Sequence, residues 1–387
     1  MSPLTQPVTK NLFKDYVSPK GEERIKAYKY KSQCDSLMYK YVMGPLANLC
    51  IKFTPTSVAP NTITMFGFMF NLLAHLLILY YTGEDLTKEV PGWLCVLTGL
   101  CQFIYMNLDN MDGKQARRTG NSSPLGMLYD HGLDAASGWL IGLNLAAIIG
   151  IGNNATAFFT CLWVPLVGFY FTMWEEYHLD FLNFGVINPV DEGMSFINSL
   201  IIFTGFVGSK WWTEITFGGV TRSQYMVYFV WTVATIGIIT NIFRVINRYR
   251  SEAMSAIGLI RIPLFLMVCG ILLNYCSPSD IVTRRTRSVI TCFGLGFSKV
   301  IGHIQLAHCS GDEFNQWRKS FIMSMILLVS NSVAGVIRGK CPVDEDLVLN
   351  LAIICNLWSF VHYFLSITQQ LTRVLECKVF SIKKIKE

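Results

Sequence analysis

Apolar stretches of about 20 residues, the length that crosses a bilayer as a helix, follow one another along most of this chain, separated by short polar breaks. They fall at roughly 62–82, 92–108, 135–152, 157–173, 194–209, 225–243, 256–275, 287–306, 320–338 and 347–368. The pattern predicts an all-α polytopic membrane protein with about ten transmembrane helices. Two stretches depart most from a lipid-facing composition: the fifth is short, and the eighth carries Lys299, His303 and Gln305. Residues 35–54, "DSLMYKYVMGPLANLCIKFT", mix apolar and basic positions around Pro45 and fit an N-terminal helix or helix pair lying at the membrane interface. Residues 1–34 are polar, with Pro7 and Pro19 and no apolar core, so no cleavable signal peptide is expected.

Composition strengthens that reading. Hydrophobic residues make up 52% of the 387 positions and charged ones only 15%, too few to coat a soluble protein of this size. The 26 Phe, 16 Tyr and 9 Trp suit a chain with many bilayer interfaces. The net charge of +6 comes from Lys and Arg in the short breaks rather than on one face, which argues against a nucleic-acid partner. The twelve cysteines lie mostly inside apolar stretches, as at Cys161, Cys269, Cys292 and Cys355, and read as small buried hydrophobes.

The breaks also set an orientation. With the N-terminus in the cytosol, the same side receives "KQARR" (114–118), "RVINRYR" (244–250), "QWRKS" (316–320) and the tail "SIKKIKE". The other side receives "GEDLTKE", "GNNAT" and "NYCSPSD", which are poorer in Lys and Arg, as the positive-inside rule requires. Arg284, Arg285 and Arg287 break the pattern and need either a shifted boundary or another task. Both termini are then cytosolic. Of two sequons, Asn121 falls on the cytosolic side and Asn154 close against the opposite membrane face. The chain divides into a cytosolic N-terminal segment with the interfacial helix (1–54), a catalytic membrane domain (55–250), additional membrane helices (251–370) and a basic cytosolic tail (371–387).

One stretch carries chemistry: "DNMDGKQARRTGNSSPLGMLYDHGLD", Asp109 to Asp134. Asp109 and Asp112 are three apart at the end of the second span; Asp130 and Asp134 are four apart at the start of the third. Either spacing places both carboxylates on one helix face. Two antiparallel helices joined by 113–129 would bring all four together near the cytosolic surface. Ionised groups at that depth are costly unless compensated. Hard divalent cations such as Mg²⁺, taking oxygen ligands and shared with substrate phosphates, supply the compensation, and two of them could grip a diphosphate and an attacking oxygen. Lys114, Arg117 and Arg118 can meet phosphate oxygens. Gly113 and Ala116 are small where a ligand would approach the backbone, and Gly126 and Gly132 allow close helix packing.

His131, beside Asp130, has the imidazole suited to take a proton from a hydroxyl. Glu192 of "NPVDEGMS" lies on the same expected side and could assist that base, with Asp191 adjacent. Asn61 of "APNTIT" is a helix cap that could also reach a nucleotide. His303, Gln305, Asn356 and His362 are polar residues within late spans, where functional or interhelical roles are favoured. Tyr105, Tyr129, Trp139, Trp174 and Tyr177 are aromatic candidates for contact with a cationic group. A transporter using the acids as an ion site is the competing class, but no internal repeat accompanies them.

The arrangement Asp112-Gly113-x2-Ala116-Arg117-x8-Gly126-x3-Asp130-x3-Asp134, with Asp109 three before it, resembles the signature of the CDP-alcohol phosphotransferases, every position filled. "YKYKS" (28–32), "VAPNTIT" (58–64) and "DGKQARRTGNSSPLG" (112–126) resemble the eukaryotic choline and ethanolamine phosphotransferases in particular. The resemblance implies that fold, and attack of a diacylglycerol hydroxyl on the β-phosphorus of CDP-choline or CDP-ethanolamine, with Mg²⁺ or Mn²⁺, as two ions. It assigns metal binding to Asp109, Asp112, Asp130 and Asp134, and nucleotide contacts to Asn61, Gly113, Lys114, Ala116, Arg117 and Gly126. The general base would be His131 helped by Glu192, or Asp134 as described for the family at large. A homodimer in the endoplasmic reticulum or Golgi membrane is implied too. A relative using inositol, glycerophosphate or CDP-diacylglycerol substrates is the neighbouring alternative.

Overall fold

The computed structural model describes residues 13–185, 188–248 and 258–382. Its long helices are α3 (Pro60–Thr82), α4 (Gly92–Arg118), α5 (Pro124–Ile148), α6 (Ala155–Leu179), α7 (Val190–Val207), α8 (Arg222–Arg248), α9 (Arg261–Cys276), α10 (Thr286–Ser310), α11 (Lys319–Arg338) and α12 (Glu345–Val374), preceded by the short α1 (Pro19–Ala27) and α2 (Gly44–Phe53). Among the described residues seven helices are long and apolar enough to cross a membrane: α3, α6, α7, α8, α10, α11 and α12. The other three expected spans are helical as well. Two of them, α4 and α5, carry the acidic stretch, and α9 has 16 residues. The all-α expectation holds; a three-residue parallel ladder, β1 (Ser32–Cys34) against β2 (Leu182–Phe184), is the one sheet among the described residues.

Two expected boundaries move. The second span continues as helix from 108 to Arg118, and the third begins at Pro124 rather than 135. Residues 119–123, not 113–129, join the acid-bearing helices. Ser123 explains the early start of α5: its hydroxyl accepts from the Gly126 amide at 3.2 Å, and Pro124 occupies the first helical position. All four aspartates therefore sit inside regular helix. At the other terminus the helix runs to Val374, past the expected tail boundary at 371. Lys383 to Glu387, the last five residues of the basic tail, lie outside the described residues, as do the boundary at 250–251 and residues 1–12.

The eighth expected span, the least lipid-like in sequence, is the most buried. Almost every residue of α10 is shielded, and three of its glycines explain how. A Cβ on Gly294 would lie 2.7 Å from the Trp139 ring of α5, one on Gly302 2.9 Å from Tyr363 of α12, and Gly296 takes the Phe321 ring of α11 in the same way. Three neighbours thus press aromatic rings onto the α10 backbone. Its polar residues face protein rather than lipid.

The arginines that broke the charge pattern have partners. Arg285 Nε donates to Glu84 at 3.2 Å and its Nη1 to Asp346 at 2.8 Å; Arg284 donates to Asp346 at 2.6 Å. Arg287 donates to the Gly83 carbonyl and the Thr82 hydroxyl, each at 2.7 Å. These contacts knit the end of α3 to the starts of α10 and α12. Asn154 caps α6, its side-chain oxygen accepting from the Ala157 amide at 2.9 Å. Among the cysteines, Cys161, Cys269 and Cys292 are buried as expected, whereas Cys355 is exposed on α12.

The N-terminal segment straps over the end of the bundle that carries the aspartates. Gln370 of α12 accepts from the Tyr16 and Val17 amides at 2.8 and 3.1 Å and donates to the Val17 carbonyl at 3.0 Å. Ser18 caps α1 and bonds to Asp312. From there the chain passes Tyr30, pairs through β1, and continues into α2. Gln115 and Arg118 of α4 staple the connection between α2 and α3 by donating to the Pro55, Val58 and Thr54 carbonyls at 2.9–3.0 Å.

Candidate active site

Helices α4 and α5 bring together three of the four aspartates. Carboxylate oxygens of Asp109, Asp130 and Asp134 all lie within 4.8 Å of one another. The fourth, Asp112, is buried one turn along α4 and accepts from the Thr64 hydroxyl of α3 at 2.5 Å. Tyr105 donates to Asp134 Oδ1 at 2.6 Å, one turn before Asp109. Asp109 Oδ1 and Asp130 Oδ1 are shielded from solvent and have no hydrogen-bond partner among the described residues.

Three carboxylates at this separation repel one another, and two bare buried oxygens leave lone pairs unused. Every donor in the set is a hard oxygen. That chemistry fits Mg²⁺ or Mn²⁺ and not a soft metal. The residues present therefore fit a divalent ion. Asp191, beside the expected helper Glu192, is buried and close enough to Asp109 to interact with its charge.

His131 points elsewhere on α5, into a chain of polar side chains that sequence reasoning did not assemble. Its Nδ1 lies 2.8 Å from Gln305 Oε1 on α10, and Gln305 Nε2 lies 3.2 Å from Glu176 Oε2 on α6. The Gln305 amide thus turns its nitrogen to Glu176 and its oxygen, which only accepts, to His131. His131 Nδ1 then carries the proton and Nε2 keeps a free lone pair. Tyr30 of the strap and Phe169 of α6 stand edge-on to the imidazole, with centroids at 5.9 and 6.4 Å.

Glu192 does not meet His131. Its Oε1 accepts from Ser36 Oγ at 2.8 Å and the Met38 amide at 2.9 Å, and its Oε2 from the Asn188 amide at 3.0 Å. These bonds fasten the strap to the start of α7. The acid behind His131 is Glu176 instead, in "WEEYHLD". A pair of adjacent acids near the end of an apolar span was the available signal.

The residues expected to meet a nucleotide surround the α4–α5 turn. Lys114 donates to Asn48 of α2 at 2.9 Å, its ammonium 5.2 Å from the centre of the Tyr39 ring. Arg117 is exposed, reaches back over Gly113, and makes no ion pair among the described residues. Ala116 lies between them on α4. A Cβ on Gly126 would lie 3.4 Å from Asn61 Oδ1, so Gly126 lets α5 approach α3; Asn61 itself donates to the Val379 carbonyl at 3.1 Å. Of the aromatic candidates, Tyr105 joins the aspartates, whereas Trp139 packs on Gly294 and Tyr129 bonds to Thr368.

Comparison with known proteins agrees with this geometry. Residues 57–180 match the family model described as CDP-alcohol phosphatidyltransferase, a range that contains all four aspartates, His131 and Glu176. The chain is 30% identical to choline/ethanolaminephosphotransferase 2 of Arabidopsis thaliana, over 95% of this chain and 99% of the relative. It is 29% identical to ethanolaminephosphotransferase 1 of Mus musculus, over 96% and 95%, and 29% identical to cholinephosphotransferase 1 of Danio rerio, over 93% and 94%. The chain belongs to the CDP-alcohol phosphotransferase family and is a membrane enzyme of that class.

Proposed function

We propose that the protein transfers phosphocholine or phosphoethanolamine from its CDP ester to the hydroxyl of diacylglycerol, giving phosphatidylcholine or phosphatidylethanolamine and CMP. Relatives named for choline and ethanolamine phosphotransfer support the donor class. The observation that carries the chemistry is the cluster of Asp109, Asp130 and Asp134 carboxylates, with two oxygens bare, on the same helix pair as an imidazole whose Nδ1 faces the Gln305 oxygen.

In this reading Asp109, Asp112, Asp130 and Asp134 hold Mg²⁺ or Mn²⁺, as two ions. Bound there, such ions neutralise charge on the diphosphate and polarise the phosphorus under attack. Lys114 and Arg117 receive the nucleotide phosphates, with Asn61, Gly113, Ala116 and Gly126 shaping the approach. His131 Nε2 takes the proton of the lipid hydroxyl, the alcohol oxygen bonds to the β-phosphorus, and the bond to the bridging oxygen breaks to release CMP. Gln305 and Glu176 act through His131, keeping its Nδ1 protonated and Nε2 free. Tyr105 orients Asp134.

The CDP ester enters from the cytosol, on the side of the N-terminal strap, and diacylglycerol enters sideways from the bilayer. A narrow apolar crevice between α5, α10 and α12, lined by Leu128, Gly132, Gly302, Phe364 and Ile367 among others, reaches the helix turn that bears His131 and marks the side from which the lipid would approach. The same reading divides the chain into the lead-in of 1–54, a catalytic unit of 55–250, helices 251–370 serving lipid access and dimerisation, and a tail. It places a homodimer in the endoplasmic reticulum or Golgi membrane with the site and both termini cytosolic.

The test is turnover by purified protein with diacylglycerol, Mg²⁺ and labelled CDP-choline or CDP-ethanolamine in separate reactions. Labelled phospholipid and CMP are expected in equal amounts, with the ratio of the two rates giving the head group. A folded protein that used neither donor, even with Mn²⁺, would overturn the reading and direct the search to CDP-diacylglycerol.

A further inference from the structure

Away from the aspartates, where α10, α11 and α12 meet the N-terminal strap, three cations gather with no ion-pair partner among the described residues; Asp15, next to one of them, pairs with Arg373 at 3.0 Å. Lys299 of α10 is 8% exposed, and its ammonium meets hydroxyls, Ser320 Oγ at 3.2 Å and Ser359 Oγ at 2.5 Å, and lies 5.9 Å from the centre of the Tyr363 ring. Arg318 stands at the start of α11 with its Nε shielded and without a hydrogen-bond partner among the described residues. Lys14 lies over the Tyr16 ring at 5.5 Å. The charges of Lys14, Lys299 and Arg318 all reach His303. None of the three cations forms an ion pair among the described residues. Residues 1–12, next to Lys14 in sequence, contain Lys10 and no acid.

A second observation points the same way. His303 is one turn from Lys299 on the same face of α10. It is 2% exposed, its ring tilted against those of Tyr363 and Tyr16 with centroids at 3.9 and 5.3 Å, and its Nε2 has no hydrogen-bond partner among the described residues. The start of α11 adds backbone donors, because no side chain caps it. Cations, an unused imidazole nitrogen and open helix amides thus converge on one place.

Like charges gathered beside a buried ammonium are unfavourable unless an anion joins them. We propose that this cluster is a binding site for a phosphate-bearing anion, distinct from the aspartate site, and that its occupant is the head group of an anionic phospholipid. Basic pockets between membrane helices take lipid phosphates in this way. The surroundings favour a lipid over a soluble ion: Trp317, beside Arg318, and Trp358, midway along α12 beside Ser359, are both exposed apolar rings that lipid can cover.

The experiment measures thermal unfolding of the full chain in nanodiscs of phosphatidylcholine alone or with added phosphatidic acid, and in detergent with or without inorganic phosphate. Phosphatidic acid is expected to raise the wild-type midpoint by about 3 °C or more, as a ligand well above its dissociation constant does. Lys299→Met and Arg318→Gln should abolish that shift. In phosphatidylcholine alone Lys299→Met should melt at or above wild type, since it removes a buried unpaired charge. A shift produced by inorganic phosphate and lost in both variants would keep the site and assign its occupant to the water phase. No shift in any arm, or a shift that persists in both variants, would overturn the proposal.

Discussion

Where α3 ends and α10 and α12 begin, Arg285 lies between Glu84 and Asp346, and Glu345 accepts from Ser277 Oγ at 2.8 Å and the Ser279 amide at 3.1 Å. In the adjoining loop the Thr87 hydroxyl, with the Thr87 amide and Asn153, holds the Asp85 carboxyl below the usual carboxylate range. At the other end of α3, Thr64 meets Asp112, and beside it Asp109, Asp130 and Asp134 face one another with two oxygens bare. The two ends hold comparable amounts of charge. One satisfies it with opposite charge and hydroxyls, and the other leaves it for something not encoded in the chain. Paired charge fixes helix ends, whereas unpaired charge marks a place prepared for a ligand.

That contrast breaks most sharply at the aspartates. Asp130→Asn or Asp134→Asn should lower turnover at least about a thousandfold, because charge on the transferring group loses its compensation. Either change should leave the unfolding midpoint of metal-free protein equal or higher, since repulsion is relieved. His131→Ala should cost about 10²–10⁴ in kcat, the range for removing a general base. Gln305→Leu, which touches no substrate in this account, should cost about 10–100-fold, as the loss of a supporting hydrogen bond does. Its effect should fall on kcat with KM nearly unchanged, and Gln305→Glu, which can still accept from Nδ1, should recover part of it.

At the paired end the expected effects are on folding. Arg285→Ala should cost about 1–3 kcal/mol of stability, less than a fully buried pair because its partners are half-exposed. Turnover per folded molecule should stay at the wild-type level. Glu192→Ala should cost about 1–2 kcal/mol through the lost bonds to Ser36, Met38 and Asn188. Limited proteolysis should then cut the strap near residues 28–38 faster than in wild type. A large kcat loss with an intact strap would return Glu192 to the reaction.

Much of this was legible in the sequence, for physical reasons. Apolar stretches report helices because a bilayer demands them: each of the ten expected spans overlaps a helix among the described residues, and seven of those helices are long and apolar enough to cross a membrane. The aspartates were legible because i, i+3 and i, i+4 spacing fixes a common face whatever the surrounding fold. The position of the joining loop was not: a polar run on a helix and a polar loop look alike, and only the Ser123-Pro124 start signal separates them. The reach of Glu192 was equally hidden, because side-chain direction on α7 depends on where the strap crosses it. The pairing of Gln305 with Glu176 joins α10 to α6, a contact between residues 129 positions apart that no local pattern encodes. The centrality of α10 was visible only as an anomaly, in polar residues that a lipid-facing helix would not carry.

The central claim is that the bare carboxylates are a divalent-cation site. Its most direct test is Mn²⁺ binding to chelator-stripped, detergent-purified protein, monitored by electron paramagnetic resonance in wild type and in Asp130→Asn. The account predicts saturable binding by wild type, displaced by Mg²⁺, and loss of most of it in the variant while the protein stays folded. Binding of equal strength and stoichiometry in both proteins would contradict it.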